Sequence, residues 1–367
     1  MVQTSLLPEH FLGQPFEDFL KDSGLPPGSR VTFLAGDCSP RTYYRIVPQQ
    51  PWWRDRVILM NAPPEAEDIG PFLEIGAFLK GAGLRVPEIY AVDRDAGLIL
   101  LEDFGDQTYN RVLAGQETQT RSALYQEMLD VLIYTATLTK EEVLKDFGVS
   151  DLIDELNSFL YWGTPTPLTD LDREDARTLW REVLAPLDAC TQRGLALRDY
   201  HVDNLMRLPA PGLQGCGLLD FQDARWGLPA YDVVSLLQDA RVDVGEPLEK
   251  EMLSSYIRSL NPPDRDSFEN TYGLLGLQRA TKILGIFLRR ARKDGRPEML
   301  AHCPRVWRFI QKGLKLPPAK PLVPLFRQQG FVLEAPFQFS DFGVASGSPS
   351  FLPPPPTGRR KLIVYFL

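Results

Sequence analysis

Two neighbouring stretches near the middle of the chain decide the fold: LRDYHVDN at 197–204 and GLLDFQDA at 217–224. The first stretch has an aspartate, Asp199, five residues before Asn204. The second has Asp220, sixteen residues after Asn204, at the end of a short apolar run. Single Asp and Asn residues in loops commonly cap helices or form turns. This joint spacing, flanked by strand-like residues, is much harder to obtain by chance.

These side chains are the ones that phosphoryl transfer from ATP requires. A carboxylate has to accept or orient the proton of the attacking hydroxyl, and two oxygen ligands have to fix magnesium against the phosphates. The spacing therefore predicts Asp199 as the catalytic base and Asn204 and Asp220 as magnesium ligands. The predicted cofactors are ATP and Mg²⁺.

The tripeptide DFG, which carries a metal ligand in many kinases, does not mark the site here. It occurs at 103–105, 146–148 and 341–343, and none of these positions follows shortly after the Asp199 loop. We therefore predict that residues 220–222 (DFQ) take its role.

The first hundred residues have the pattern of a small sheet with one helix. Apolar runs of strand length lie at 31–34, 43–47, 57–61, 88–92 and 98–101. Apolar residues at helical spacing over 68–82 predict one helix between the third and fourth of these strands.

After residue 105 the apolar spacing becomes helical. Amphipathic stretches lie at 119–139, 172–193, 228–241, 247–260, 267–293 and 303–314, around a strand-like island at 195–223. The pattern predicts an α+β fold of two lobes, a small antiparallel-sheet lobe and a helical lobe. We predict a nucleotide-binding lobe at 1–103, a helical lobe with the catalytic loop and acceptor site at 104–330, and a poorly ordered Pro/Gly/Ser-rich tail at 331–367.

Composition narrows the possible partners. Forty Lys and Arg stand against 48 Asp and Glu among the 367 residues, a formal net charge of −8. Avid nucleic-acid binding needs concentrated positive charge, so no nucleic-acid partner is predicted. The sequence shows no signal-peptide pattern and no apolar run of membrane-spanning length, so we predict a cytoplasmic protein without a membrane partner.

The segments LRDYHVDNLM at 197–206 and GLLDFQDARWGLPAYDVVSLLQDAR at 217–241 resemble the aminoglycoside phosphotransferase-like kinases. The chain is most similar to a bacterial branch of that family, the N-acetylmuramate/N-acetylglucosamine 1-kinases of cell-wall recycling. GDCSPRTYYRI at 36–46 and QRATKILGIFLRRARKDG at 278–295 also match this branch. The resemblance covers roughly residues 10–325 and implies a protein-kinase-like two-lobe fold. It also implies ATP-dependent phosphorylation of an amino sugar at its anomeric hydroxyl.

The resemblance further implies where the nucleotide binds. The expected cofactor residues are Gly36, Ser39 and Arg41 in a phosphate-facing loop, and Leu101, Glu102 and Asp103 in a hinge that holds the adenine through backbone groups.

Two departures from the kinase pattern affect this site. The catalytic loop begins with Leu197 where kinases usually have histidine. The strand at 57–61 (VILMN) has no lysine, so Glu74 on the following helix lacks its usual partner. Arg41 and Arg45 are the candidates for the missing cation, and a plain surface role for each is the alternative.

Five residues are candidates for the acceptor site. Glu155 and Trp162, in one predicted helical stretch, would supply a carboxylate and an aromatic platform for a sugar; a core role is the alternative for the aromatic residue. Arg279 and Lys282, one helical turn apart, suit the lactyl carboxylate of N-acetylmuramate or are solvated charges. His201 either contacts the acceptor or shapes the loop. An aminoglycoside or other small alcohol as acceptor, and a pseudokinase without turnover, are the alternative functions.

Overall fold

The computed structural model of the chain describes residues 14–25, 28–36, 40–48, 56–190, 192–262 and 264–342. The strands are β1 (Arg30–Gly36), β2 (Thr42–Val47), β3 (Val57–Asn61), β4 (Ile89–Asp93), β5 (Leu98–Glu102), β6 (Gly194–Ala196), β7 (Leu205–Arg207), β8 (Cys216–Leu218) and β9 (Arg225–Gly227). The helices are α1 (Gln14–Asp22), α2 (Gly70–Gly81), α3 (Tyr109–Leu113), α4 (Thr118–Thr135), α5 (Val149–Glu155), α6 (Asn157–Trp162), α7 (Asp170–Leu184), α8 (Ala230–Leu237), α9 (Glu246–Leu260), α10 (Arg265–Lys293), α11 (Cys303–Gly313) and α12 (Leu322–Gln328). The five predicted strands of the first hundred residues and the predicted helix after the third are confirmed. Each of the six later helical stretches also contains a helix.

The chain forms two compact units, whose limits differ from those of the predicted lobes. Among the described residues, the first unit runs to Val131 and also takes in Val202–Asp223, and the second holds Leu132–His201 and the residues from Ala224 onward. The predicted boundary at residue 103 follows the change from strands to helices. The β7–β8 hairpin nevertheless belongs to the first unit, where the amide of Arg207 donates to the carbonyl of Gln107 over 2.8 Å. The predicted functional division between the lobes stays a prediction.

The first unit is built on a five-stranded antiparallel sheet in the order β1-β2-β3-β5-β4. Alternate residues of β2, Tyr44 and Ile46, point into the core, as expected for a sheet with one covered face. Helix α1, which was not predicted, contributes Phe16 and Phe19 to the same core. The sheet therefore has a packed apolar face on which a nucleotide site can be held rigidly.

One glycine fixes the turn between β4 and β5. Gly97 has a φ of +68°, and a Cβ atom there would lie 1.9 Å from the carbonyl oxygen of Ala62. Only glycine fits a backbone that is both left-handed and this close to a neighbouring chain segment. The turn joins β4 to β5, the strand that ends at the predicted hinge.

The second unit is organised around α10, a 29-residue helix. At Gly285 a Cβ atom would lie 2.2 Å from the backbone nitrogen of Phe159, so α10 and α6 are in direct backbone contact at this point. Phe159 is fully buried at this contact. Among the described residues, no helix is both long and apolar enough to cross a membrane.

The segment at 331–342 corrects the prediction of a poorly ordered tail beginning at residue 331. Phe331, Phe337 and Phe342 are buried, and the ring of Phe331 stacks on Trp307 at 5.0 Å between centroids. These aromatic side chains remove enough apolar surface from water to fix the segment against α11. The proline-rich remainder of the predicted tail, from residue 343 onward, lies outside the described residues.

Candidate active site

A pocket in the first unit collects several predicted site residues. Its empty space, including open solvent at the mouth, is about 790 Å³. The predicted hinge residues Leu101, Glu102 and Asp103 line it, together with the predicted metal ligand Asp220. Its apolar walls come from Leu34, Ile58, Phe72, Met206 and Phe221. The pocket thus offers apolar faces for a flat ring and an acidic group at its polar side.

The β7–β8 hairpin brings Asn204 and Asp220 to the same end. Asn204 immediately precedes β7, and Asp220 follows β8 by two residues. Leu205 pairs with Leu218, and the amide of Leu219 donates to the carbonyl of Asn204 over 2.9 Å. The fifteen residues between the two predicted ligands are therefore folded back on themselves.

The backbone at Asp220 is strained. Its φ is +54°, a left-handed conformation that costs roughly 1–3 kcal/mol in a residue other than glycine. Gln222 donates to Asp220 Oδ1 over 2.8 Å, and the ring of Phe221 stacks on Phe72 of α2 at 4.9 Å. These contacts hold the carboxylate in a conformation that the isolated segment would rarely adopt.

The predicted phosphate-facing loop is described in part. Gly36 ends β1 and pairs with Thr42, whereas Ser39 lies outside the described residues. Arg41 is buried, and its Nη1 atom lies 3.8 Å from Asp220 Oδ1. The structure therefore brings Arg41 into contact distance of a predicted metal ligand.

Two side chains near the site are tied to structural partners. Arg45 pairs with Asp103 (Nε–Oδ2, 2.6 Å) and Asp106 (Nη1–Oδ1, 2.7 Å), so it braces β2 against the predicted hinge. Asp203 accepts a hydrogen bond from Asn110 Nδ2 over 2.6 Å. The alternative of a plain surface role for Arg45 is therefore wrong.

The loop that carries Asp199 belongs to the second unit and is fixed by a buried carboxylate. Asp232, on α8, accepts hydrogen bonds from the amides of Leu197 and Arg198, the latter over 2.8 Å. Burial raises the pKa of Asp232 to about 7, and the charge of Asp199 also raises it, although the two amide hydrogen bonds act in the opposite direction. Arg198 has a φ of +72°, which leaves the half-buried Asp199 at a sharp bend.

Asp232 was missed by sequence reasoning. Its signal was available, because it is the one acidic residue within the apolar run of α8, AYDVVSLL. A single carboxylate on a fully buried helix needs hydrogen-bond donors from elsewhere in the fold.

A buried charge cluster lies beside this loop. Glu155 Oε1 accepts from Lys282 Nζ over 2.8 Å and from Arg198 Nη2, and Tyr231 donates to Oε2 over 3.2 Å. Burial raises the pKa of Glu155, but Lys282 and Arg198 outweigh it and hold the value at about 2. Burial lowers the pKa of Lys282, whereas Tyr231, Glu155 and Asp199 raise it above its usual value. Lys282, whose side chain is 16% exposed, is therefore a largely buried cation next to the loop, and its solvated alternative is wrong.

His201 and Arg279 are buried near one another. Burial lowers the pKa of His201 well below its usual value, and the charges of Arg241 and Arg279 lower it further. The imidazole is therefore neutral, and neither ring nitrogen has a hydrogen-bond partner among the described residues. Arg279 is only 5% exposed, so the solvated alternative is wrong for this residue as well.

Trp162 lies apart from the charge cluster. The chain leaves the helix at Leu156, so Trp162 ends α6 whereas Glu155 ends α5. The carbonyl of Trp162 accepts from Arg292 Nη1 over 3.1 Å, and Arg292 follows Lys282 by ten residues, about 15 Å along α10. The structure does not bring Trp162 next to Glu155. A role for Trp162 in acceptor binding stays a prediction.

The charge cluster around Glu155 is expected to stabilise the folded protein. Glu155→Gln should destabilise the protein by about 3 kcal/mol at pH 7, because it leaves Arg198 and Lys282 without their buried counter-charge. The folded pKa of Glu155, about 2, lies below its ordinary value of 4.5. Its contribution is therefore complete above pH 4.5 and is lost as the pH falls towards 2. Urea unfolding at pH 7, 4.5 and 3 should show the difference from wild type shrinking with acidity.

The matched control is Asp154→Asn, one residue earlier on α5 and exposed. It should change the free energy of unfolding by less than about 0.5 kcal/mol at each pH. A difference between wild type and Glu155→Gln that stays constant from pH 7 to pH 3 would contradict the assignment.

The antiparallel sheet, the pocket with Asp220 and the braced Asp199 loop are those of a phosphotransferase with a protein-kinase-like two-lobe fold. Residues 30–269 match the Phosphotransferase enzyme family, and the chain belongs to that family. It is a kinase that transfers phosphate to a hydroxyl group of a small molecule, and its family implies ATP as the donor.

Named relatives and solved structures agree with this membership. The chain is 33% identical to the N-acetylmuramate/N-acetylglucosamine kinase of Pseudomonas aeruginosa, over 84% of this chain and 88% of that protein. It is 30% identical to the enzyme of the same name from Pseudomonas putida, over 83% and 93%. An ADP-bound aminoglycoside phosphotransferase superposes with a TM-score of 0.56 and 14% identity, over 82% and 97%, a likeness that shows the fold alone. The predicted family and fold class are confirmed.

Proposed function

We propose that the chain uses ATP to phosphorylate the anomeric hydroxyl of an N-acetylated amino sugar, N-acetylmuramate or N-acetylglucosamine. The observation that carries the proposal is the similarity, along most of the chain, to kinases named for these two sugars. Recovery of cell-wall sugars in the cytoplasm is the setting that this reaction fits. Cys190, Cys216 and Cys303 are thiols in the described part of the chain, in keeping with a reducing compartment.

Asp199 is the proposed base. It is half-buried, and the hydrogen bonds from the Leu197 and Arg198 amides to Asp232 hold its loop. A carboxylate held in this way can accept the proton of an attacking hydroxyl without first reorganising the loop. Leu197 contributes its amide to this brace, so the histidine usual at this position is not needed for it.

Asn204 and Asp220 are the proposed ligands of a magnesium ion. An amide oxygen and a carboxylate at one hairpin end form an oxygen donor set, which Mg²⁺ prefers. When bound there, the ion would neutralise charge on the phosphates. The proposed nucleotide contacts are Leu101, Glu102 and Asp103 for the adenine and Gly36, Ser39 and Arg41 for the phosphates. The apolar walls of the pocket suit the base of ATP.

The acceptor is proposed to bind next to the loop that carries Asp199. Arg279, Lys282 and His201 are the proposed contacts, and the two cations suit the lactyl carboxylate of N-acetylmuramate. Glu155 is proposed to act through Lys282, because its oxygens already accept from protein donors. Trp162 stays a candidate platform for the sugar ring.

A panel of acceptors tests the proposal with ATP and Mg²⁺ in an ADP-release assay. N-acetylmuramate and N-acetylglucosamine should be turned over, and kanamycin should not, because a polycation would meet buried Arg and Lys side chains. 2-Acetamido-1,5-anhydro-2-deoxyglucitol keeps the pyranose ring and the other hydroxyls but lacks the anomeric hydroxyl, so it is the matched acceptor control and should be inert. Turnover of kanamycin alone, or equal turnover of this anhydro sugar, would overturn the proposal.

A further inference from the structure

The ion pair that kinases use to hold the nucleotide phosphates is absent from its usual position in this chain. In protein kinases a lysine on the third strand pairs with a glutamate on the following helix. Here β3 has the sequence VILMN, and its last residue, Asn61, donates to Thr42 Oγ1 over 3.3 Å. Glu74 on α2 is exposed to solvent. The usual positions on β3 and α2 therefore supply neither a cation for the phosphates nor a buried carboxylate to hold that cation.

A second ion pair lies close by in the same unit. Arg41, directly before β2, donates through Nε to Oε1 of Glu67, and its Nη2 atom contacts the same oxygen. Glu67 lies in the segment between β3 and α2. The side chains of Arg41 and Glu67 are only 9% and 19% exposed, so water screens the pair weakly. A pair in this environment fixes the direction of the guanidinium.

The guanidinium of Arg41 lies close to Asp220, the proposed metal ligand. Nη1 of Arg41 lies 3.8 Å from Oδ1 of Asp220, beyond hydrogen-bond length but within the range of an ion pair. Tyr43, two residues further along, lines the pocket and interacts electrostatically with Arg41. The cation is thus held on one side by Glu67 and lies on its other side next to the group that would bind the metal.

Arg45, the other sequence candidate for the missing cation, has a different place. Its guanidinium contacts Asp103, Asp106 and the carbonyl of Gly105. All three partners follow β5, at the side of the pocket where the adenine is expected. Arg45 therefore shapes the wall of the pocket, and Arg41 is the buried cation next to Asp220.

We propose that Arg41 binds the phosphate chain of the nucleotide and that Glu67 is the positioning residue that holds it there. The Arg41–Glu67 pair takes the place of the strand lysine and helix glutamate of other kinases. A guanidinium presents planar, forked donors that match phosphate oxygens better than a point charge does. The inference rests on the proposed nucleotide site and adds to it the pair that organises its phosphate end.

The test measures equilibrium binding of adenosine, ADP and ATP by calorimetry, in EDTA and in Mg²⁺. Arg41→Met should weaken ATP binding about 10- to 100-fold and adenosine binding less than about twofold, because charge-assisted hydrogen bonds to phosphate are lost and base contacts are kept. Glu67→Gln should weaken ATP binding about 3- to 10-fold, and Arg41→Lys should recover part of the loss seen with methionine. In the Arg41→Met background, Glu67→Gln should cause no further loss, because a positioning residue has no effect without the group that it positions.

The matched control is Glu74→Gln, which should leave all three affinities unchanged. Unfolding temperatures without ligand identify any variant that fails to fold, in which case Arg41→Lys and Glu67→Gln carry the test. Equal weakening of adenosine and ATP, or additive effects in the double variant, would overturn the inference. Failure of the proposed function gives a different result, because the wild-type protein would then not bind ATP or would not turn over any acceptor.

Discussion

Replacing Asp199 by asparagine is expected to lower kcat about 10³- to 10⁴-fold and to leave ATP affinity within about twofold. Asparagine has nearly the same shape, so the loop braced by Asp232 should keep its conformation. It cannot accept the proton of the acceptor hydroxyl. The pocket proposed to hold the base of ATP is lined by other residues, so binding and turnover should separate.

Turnover of N-acetylmuramate and calorimetric ATP affinity are the two measurements for this variant. Asp188→Asn, an exposed aspartate in the same unit, is the control and should retain wild-type turnover. If Asp199→Asn lost ATP binding as well, the residue would be structural. If it kept more than about a tenth of the wild-type kcat, another group would have to serve as the base.

Replacing Asp220 by asparagine is expected to abolish the contribution of magnesium to ATP affinity and to lower kcat by at least about 10³-fold. Asparagine tolerates the left-handed backbone found at Asp220, so the change removes the charge with little added strain. In EDTA, ATP affinity should be unchanged or higher, because a carboxylate next to the phosphates and to Arg41 has been removed.

Titrations of ATP into wild type and Asp220→Asn, with and without Mg²⁺, check this expectation. Wild type should bind ATP more tightly with the ion, and the variant should show the same affinity in both conditions. An unchanged magnesium effect in the variant would contradict the ligand assignment. Asp199→Asn should keep the magnesium effect, so the two variants separate the proposed base from the proposed ligand.

The parts of the fold with a local signal could be predicted from the sequence. β3 occupies the predicted residues 57–61, because a continuous apolar run of that length is typical of a buried strand. The approach of Asn204 to Asp220 also has a local cause, since a short hairpin links the two. The end of α5 had no such signal, because Leu156 keeps a near-helical backbone (φ −69°, ψ −10°) and no glycine or proline marks the break.

Partners far apart in sequence could not be predicted. Glu155 meets Lys282 127 residues later, and Arg41 meets Glu67 26 residues later. Neither pair produces a periodic pattern in the sequence, because its geometry is set by how helices and strands pack rather than by spacing along the chain. This explains why the sequence left Arg279 and Lys282 as possible solvated charges, whereas Arg279 is buried and the side chain of Lys282 is only 16% exposed.

The most direct test of the proposed chemistry is the position of the phosphate in the product. Wild-type protein, ATP and Mg²⁺ are incubated with N-acetylmuramate, and the product is examined by proton and phosphorus NMR. The anomeric proton should couple to phosphorus and the reducing end should be lost, and the same mixture with Asp199→Asn should show neither change. Phosphate on any other hydroxyl, or no transfer to the sugar by a protein that binds ATP, would contradict the proposal.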